Sequence, residues 1–499
     1  MDRYLVLLKQ AVRTEEWDFS AKYLAVCELH NRAREETDSI CSDTLRALES
    51  LFEDKTVCEH EVQTVRRAAA EAMGSLPFFV HGPVLDMPLC RSRPLVSWNE
   101  LIERAGTPAQ ADPTIMGRSL VVRTDPKGGL LVVKVARAGE TPDQLCSEAL
   151  WMERLRSDEH RFPVRFEIPE PMCFQGSYVF RLEDLPILTD GGGQWHPERY
   201  AMAYRATEDY FSYPNRPEEA KGRRKNELPE VLFRNALLLG TLSSRGIVHT
   251  APIPLFHNRV QRGRREDGGV YEWPLRGRLD KWLESCAYPN VGLSGVRDFE
   301  HFSVFRGQGR GLYRPVGTQL LSLLLVTGSC FRNREPRRIG LDKDGLPVDA
   351  RDLFDRGLLE ELIRGIFLHY YEGFVGVEYD GDLPVDVSRL ADRMIEEMGV
   401  DRHMEEFLRV ADQERMTDDE FKTFLRDRGV SELRLQALNR AEEEISLMTG
   451  PHLGAFNSTI SLPELIDFVE TAAALCMLGR YRRENAASMP VKRQRIVSR

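Results

Sequence analysis

Lys134 closes the apolar run LLVVKV, and Glu148 follows fourteen residues later in a segment with helical periodicity. Valines flanking the lysine bury its stem in a strand and present the ammonium to a cleft. A strand lysine fixed by a helix glutamate is an arrangement that holds nucleotide phosphate oxygens. Glu153, on a neighbouring helix face, is the alternative partner, and a solvated strand-end lysine is the alternative for Lys134. A second cluster lies in YPNVGLSGVRDFEHF, residues 288–302. Asp298 stands at a strand end before an aromatic that anchors the turn, and Asn290 precedes it by eight residues. Carboxylate and carboxamide oxygens are hard donors that suit a magnesium ion bridging phosphates. The rival is an ordinary turn aspartate. Arg118 offers a guanidinium fork to the same anionic oxygens, or else is an edge-strand arginine in water.

These residues need elements to position them. GRSLVVRTDPKGGLLVVKVAR, residues 117–137, reads as a hairpin, with two alternating β-branched runs around a strong turn. That turn carries two glycines without a G-x-G-x-x-G pattern. TPDQLCSEALWMERLRS, residues 141–157, is a helix capped by Thr141, with a stripe of Leu145, Leu150 and Leu155. RFEIPEP and SYVFRLED add strands. From residue 229 the chain is mainly helical, opening with PEVLFRNALLLGTLSSRG between Pro229 and Gly246. Later come LLEELIRGIFLHYYEGFVG, VSRLADRMIEEMG, a helix opened by the capping box Thr417 to Glu420, and ELIDFVETAAALCMLGRYRR.

A small antiparallel sheet with one helix, followed by a large helical lobe, is the element order of the protein kinases. By analogy of order, the expected fold class is α+β, a kinase-like bilobal fold with an all-α N-terminal domain. The expected boundaries are a helical, HEAT-like region at 1–80, a proline-rich linker at 81–113, an N-lobe at 114–190, a C-lobe at 191–380, a C-terminal helical domain at 381–485 and a basic tail at 486–499. The HEAT likeness rests on EVQTVRRAAAEAMGSL, residues 61–76; a helical bundle docked on the next domain is the equal alternative.

In GIVHTAPIPLFHNR, residues 246–259, His249 lies where a kinase has the histidine of H-R-D, but two prolines and no carboxylate follow. A general base must reach the proton that it removes, and none is near in sequence. His257 and Asn258 are either ligands, with Asn258 competing with Asn290 for a metal, or a structural pair. GLDKDGLPVDARD offers Asp342, Asp344 and Asp349 around a glycine, and lacks the glutamate of a calcium loop.

A net charge of −10 argues against a general nucleic-acid binder. Nine scattered cysteines without a CxxC pair argue for buried thiols. The apolar stretch at 319–331 is too short to span a bilayer, and the first residues lack the pattern of a signal peptide. The expected location is the cytoplasm.

Taken in order and spacing, Arg118, Lys134, Glu148, His249, Arg278, Tyr288, Asn290 and Asp298 resemble the SidJ-type bacterial pseudokinases, which act as protein polyglutamylases. The resemblance runs over about residues 115–330, and Lys134 with Glu148 and the Y-P-N…R-D-F block carry it most specifically. It implies ATP and Mg2+ in the kinase-type cleft, an acceptor protein whose glutamate is adenylated, and free glutamate as the co-substrate that attacks the acyl-adenylate. A carboxylate is already ionised at pH 7, so this chemistry needs no aspartate base. The resemblance further implies Lys134, Glu148 and Asp298 as catalytic residues, Asn290 and Asp298 as metal ligands, and a second nucleotide pocket using His249, Arg278 and Tyr288. It also implies a bacterial origin, with export as an effector as one outcome, and a protein activator at the C-terminal helices or basic tail. There AALCMLGRYRR keeps Gly479 and Arg483 of a calmodulin-binding IQ-like spacing without its glutamine and first arginine. Transfer of the adenylyl group to a hydroxyl, and a non-catalytic nucleotide-binding scaffold, are the alternatives.

Overall fold

The LLVVKV run becomes the centre of a sheet whose two faces are both covered, which is why it reads as continuously apolar. Its strand β5 (Gly129–Val135) pairs antiparallel with β4 (Ser119–Arg123) and with β8 (Tyr200–Thr207). Outside these lie β3 (Thr114–Met116) on β4, β7 (Phe180–Glu183) and the short β6 (Glu170–Pro171) on β8, and β2 (Leu95–Ser97), parallel to β7. The computed structural model describes residues 42–52, 59–85, 91–106, 113–116, 119–125, 128–185, 195–211, 227–253, 260–264, 270–274, 290–292, 294–331, 338–341, 347–349, 356–397, 416–427 and 463–488.

Alternation along β5 separates two cores. Leu131, Val133 and Val135 face one cluster with Trp98, Leu101 and Ile102 of helix α3 (Trp98–Ala105). Leu130 and Val132 face another with Leu145, Ala149 and Trp151 of helix α4 (Pro142–Ser157). Helix α3 falls in the stretch that reads as a linker. Ser97 caps its start by accepting from Glu100 N at 3.1 Å, and Gly106 ends it in the left-handed region. The prolines around this short helix hide it in sequence, while the fold uses it to close a sheet face.

Helix α5 (Glu227–Ser244) leads into β9 (Ile247–His249) and lies against α7 (Arg356–Val375). The two helices approach through glycine: a Cβ on Gly240 would meet the Tyr370 carbonyl, and one on Gly373 that of Leu237. Around them stand α6 (Tyr313–Phe331), α8 (Val387–Glu397), α9 (Asp418–Asp427) and α10 (Pro463–Ser488). Of the N-terminal region, α1 (Ser42–Phe52) and α2 (Glu59–Gly74) are described. Leu48, Ala69 and Met73 join the same buried cluster as Phe468 and Ala472 of α10, and Arg66 bonds Asp467 at 2.5 Å. The two described helices are docked on the helical body rather than stacked apart from it.

The result is a mixed α/β architecture with a curled sheet and many helices, compatible with an α+β kinase-like fold. Among the described residues no helix is long and apolar enough to cross a membrane. Cys173 and Cys476 are free thiols, whereas Cys146 on α4 is disulfide-bonded, contrary to the expectation of thiols throughout. Sequence spacing does not reveal which cysteines become spatial neighbours.

Candidate functional site

Lys134 shares the face of Leu130 and Val132, the face that packs on α4, and there it meets Glu148. Its Nζ donates to Glu148 Oε1 at 2.5 Å, and Asp298 Oδ1 lies 3.8 Å from the same ammonium. Lys134 is 6% exposed and Glu148 fully buried. A buried charged side chain is tolerated where it is paired and hydrogen-bonded, and this pair fixes both groups in position. Glu153 points elsewhere: with burial, it holds the Tyr178 hydroxyl up at about 12.

Asp298 sits at φ 51° and ψ 63°, the left-handed region. A non-glycine residue there stores strain on the order of 1–3 kcal/mol, tolerated where surrounding bonds over-determine the backbone. Those bonds are present. Strands β12 (Val291–Gly292) and β13 (Gly295–Val296) form a hairpin, and Arg297 N donates to Asn290 O at 2.8 Å just beyond it. Asn290 N donates to Pro252 O and its Nδ2 to Ala251 O, both at 2.8 Å. Strand β14 (Phe302–Val304) pairs with β9, setting Phe302 opposite His249. Phe299 is fully buried beneath the turn, and His301 N donates to Asp298 O at 3.0 Å.

His249 ties this turn to the helical body. Its Nδ1 accepts from Ala251 N at 3.2 Å, which leaves Nε2 to donate to Arg297 O at 2.8 Å. Its own carbonyl accepts from Gln319 Nε2, and Gln319 Oε1 accepts in turn from Tyr370 and Ser243. The ring is 1% exposed. A nucleotide contact through it would require exchanging both backbone bonds; as placed, it positions Arg297 and Asp298.

Two members of this cluster escape sequence inspection. Arg297, buried, donates from a guanidinium nitrogen to Tyr210 O at 3.4 Å. Tyr210 itself is buried, which raises its hydroxyl pKa well above the ordinary value; Tyr204, Asp298 and Glu148 add to the rise and Arg297 opposes it. The phenol therefore lies in the field of both site carboxylates. Only the arginine directly before the aspartate in RDF hinted at this.

Residues 118, 257, 258, 278 and 288 lie outside the described residues, so Arg118, His257, Asn258, Arg278 and Tyr288 are not brought to or from the site. Asp342 and Asp344 also lie outside them. The DPKGG turn closes the end of β4 and β5 away from Lys134, since Ser119 is the residue opposite Lys134 and Arg123 stands opposite Leu130. Glu208 holds that turn by pairing with Arg123 and donating its N–H to Gly128 O. The connection that adjoins Lys134 is therefore the one between β3 and β4, where Met116 pairs with Ser119. Between Ile253 and Asn290 the chain makes an excursion whose described part is the hairpin of β10 (Val260–Arg264) and β11 (Val270–Pro274).

Asp298 and Asn290 suit a magnesium ion by donor type, since Nδ2 of Asn290 is committed to Ala251 and its oxygen is left for a cation. Among the described residues no three His, Cys, Asp or Glu side chains cluster as a metal site, so such an ion would complete its shell with phosphate and water. In the IQ-like segment, Gly479 is packed against Tyr371 and Arg483 bonds the Val375 carbonyl. Leu475, Leu478 and Tyr481 are buried with them. Both IQ-like positions thus serve internal packing in this conformation.

No family model matches the chain. It is similar to the calmodulin-dependent glutamylase SidJ of Legionella pneumophila, 27% identical over 204 residues that cover 37% of this chain. The chain spans 22% of the length of that relative. This partial likeness links the chain to SidJ-related proteins at most.

Proposed function

We propose that the protein is an ATP-dependent protein glutamylase of kinase-like, bilobal fold, with residues 114–190 and 191–380 as the two lobes. The observation that carries it is Lys134 Nζ standing 2.5 Å from Glu148 and 3.8 Å from Asp298, beside a His249 loop whose described continuation, Ala251 to Ile253, holds no carboxylate. A phosphate-holding set without a hydroxyl-deprotonating base suits a nucleophile that is already ionised. The partial likeness to a glutamylase points the same way.

In the first step an acceptor glutamate oxygen attacks the α-phosphorus of ATP and pyrophosphate leaves. Lys134, oriented by Glu148, neutralises phosphate oxygens, and Arg118 is the further cation offered to them. Magnesium, when bound, supplies positive charge to the same oxygens; Asp298 and Asn290 would hold it. In the second step the neutral form of the amine of free glutamate, its proton given up to water, attacks the acyl carbon, AMP leaves, the nitrogen loses a further proton to water, and an amide bond forms. The acceptor is brought near its attacking geometry by the fixed Asp298 turn. Arg278 and Tyr288 are retained as the groups of a second nucleotide site, with His249 supporting through the backbone. An activator, if calmodulin-like, would act on a surface other than the buried side of α10, or on α10 undocked. The natural setting is an ATP-containing cytoplasm, of the bacterium or of a host.

The test is incubation of the protein with candidate acceptors, α-labelled ATP and labelled glutamate. Glutamate incorporated into the acceptor supports glutamylation. Stable α-label on protein would mean adenylyl transfer to a hydroxyl, and transfer of neither label, with nucleotide binding unaffected by Lys134→Ala, would reduce the site to a scaffold.

A further inference from the structure

We propose that the exposed face of a two-stranded ribbon beside the site is the docking surface for an extended acidic segment of the acceptor protein, an inference that rests on the glutamylation reading. The ribbon joins β1 (Phe79–His81) to β15 (Arg306–Gln308), antiparallel, with Phe79 opposite Gln308 and His81 opposite Arg306. Directly paired residues share a face. Val80 is buried on the inner face, while Phe79, His81, Arg306 and Gln308 are exposed on the outer one. Phe79 is 49% exposed, and its ring lies 4.6 Å from that of His81. Val304, 38% exposed, extends the apolar part.

Aromatic and arginine side chains without carboxylates are the composition of interface centres. The surface is also rigidly backed. Arg306 Nε donates to Gly82 O at 2.9 Å, Phe305 N to Gly246 O at 2.7 Å and Gly309 N to Phe78 O at 2.6 Å. Phe305 packs its ring on Gly311.

Charge selects the occupant. The chain carries −10 overall, yet no Asp or Glu occurs from His301 to Arg334. Arg306, Arg310 and Arg314 in this stretch are exposed and make no ion pair among the described residues. The contrast is with the basic end of α10, where Arg480 pairs with Glu484, Arg482 with Glu49, and Arg483 with a backbone carbonyl. An uncompensated arginine strip with an aromatic pair fits a segment that alternates acidic and apolar side chains. Its position fits as well: β15 begins eight residues after Asp298. That is at most about 26 Å of extended chain. An acceptor glutamate presented to the nucleotide beside Lys134 would therefore have its flanking residues within reach of the ribbon.

The experiment measures fluorescence anisotropy of a labelled ten-residue peptide of alternating Glu and Val, against the same peptide with Gln for Glu, on the full chain. Wild type binds the Glu peptide at least tenfold more tightly than the Gln peptide. Arg306→Ala with Arg310→Ala, and separately Phe79→Ala, each weaken it at least fivefold in protein whose thermal denaturation is still cooperative, and Arg482→Ala, at the basic end of α10, leaves it intact. Equal affinity for the two peptides, or binding indifferent to both ribbon variants, overturns the docking surface. Displacement of the peptide by a ten-nucleotide oligothymidylate in preference to excess Glu peptide also overturns it, in favour of nucleic acid. Arginine-dependent peptide binding without any glutamate transfer would sink the glutamylase reading and keep the acidic docking site. Transfer that persists with unchanged KM in the arginine variant would sink the docking site alone.

Discussion

His249 and Arg297 are joined by one hydrogen bond, from imidazole Nε2 to a main-chain carbonyl 2.8 Å away, forty-eight residues along the chain. Substitution of His249 by alanine leaves that buried carbonyl without its donor, a loss of about 1–3 kcal/mol. His249→Ala is expected to lower the melting temperature and weaken Mg·ATP binding without abolishing it. Isothermal titration and thermal denaturation check this; abolished nucleotide binding in a fully folded variant would instead make the ring a direct ligand.

Lys134 and Glu148 should be separable into stability and activity. Removing one charge leaves the other buried and unpaired, a cost of about 3–5 kcal/mol. Lys134→Met is therefore expected to be strongly destabilised and inactive. Lys134→Met with Glu148→Leu regains most of the stability and none of the transfer activity, as read by urea denaturation beside the glutamate-label assay.

Asp298 is constrained by both backbone and chemistry. Asparagine tolerates the left-handed conformation, so Asp298→Asn should fold within about 1 kcal/mol of wild type, whereas Asp298→Ala pays a further left-handed penalty of about 1–2 kcal/mol. Both variants should lose the magnesium dependence of ATP binding. An unchanged response to magnesium in Asp298→Asn would remove Asp298 from the metal site.

Glu470, on the face of α10 that meets α2, titrates near neutrality. Burial pushes its carboxyl from about 4.5 up to about 7; Arg67, 3.4 Å away, opposes the shift, and Glu71 and Asp467 add to it. The folded pKa exceeds the unfolded one, so the native state binds the extra proton between these values. Stability is therefore lost as pH rises from about 4.5 through about 7 and is level above. Thermal melts at pH 5, 6, 7 and 8 should show this decline in wild type, and a flatter profile in Glu470→Gln; parallel profiles would refute the assignment.

What the sequence determined is what local chemistry dictates. The β-branched runs about DPKGG specified a hairpin, and Thr417 with Glu420 specified a cap, in which Thr417 N and Oγ1 both donate to Glu420 at 2.8 Å. The fourteen-residue spacing of Lys134 and Glu148 was legible because strand alternation and helix periodicity each leave one face available to the other. Tertiary structure decided the rest. Arg297 and Tyr210 join the site only because a β12–β13 hairpin and the end of β8 converge, and no local pattern encodes that meeting. The stretch of residues 81–113 reads as a linker, since the apolar face of α3 has meaning only against a sheet built from residues far along the chain. His249, in sequence a candidate nucleotide contact, has both ring nitrogens bonded to backbone in the folded chain. Among the described residues Arg306 and Arg310 lack an ion pair while Arg482 meets Glu49 of α1, and that difference is a property of the folded chain alone.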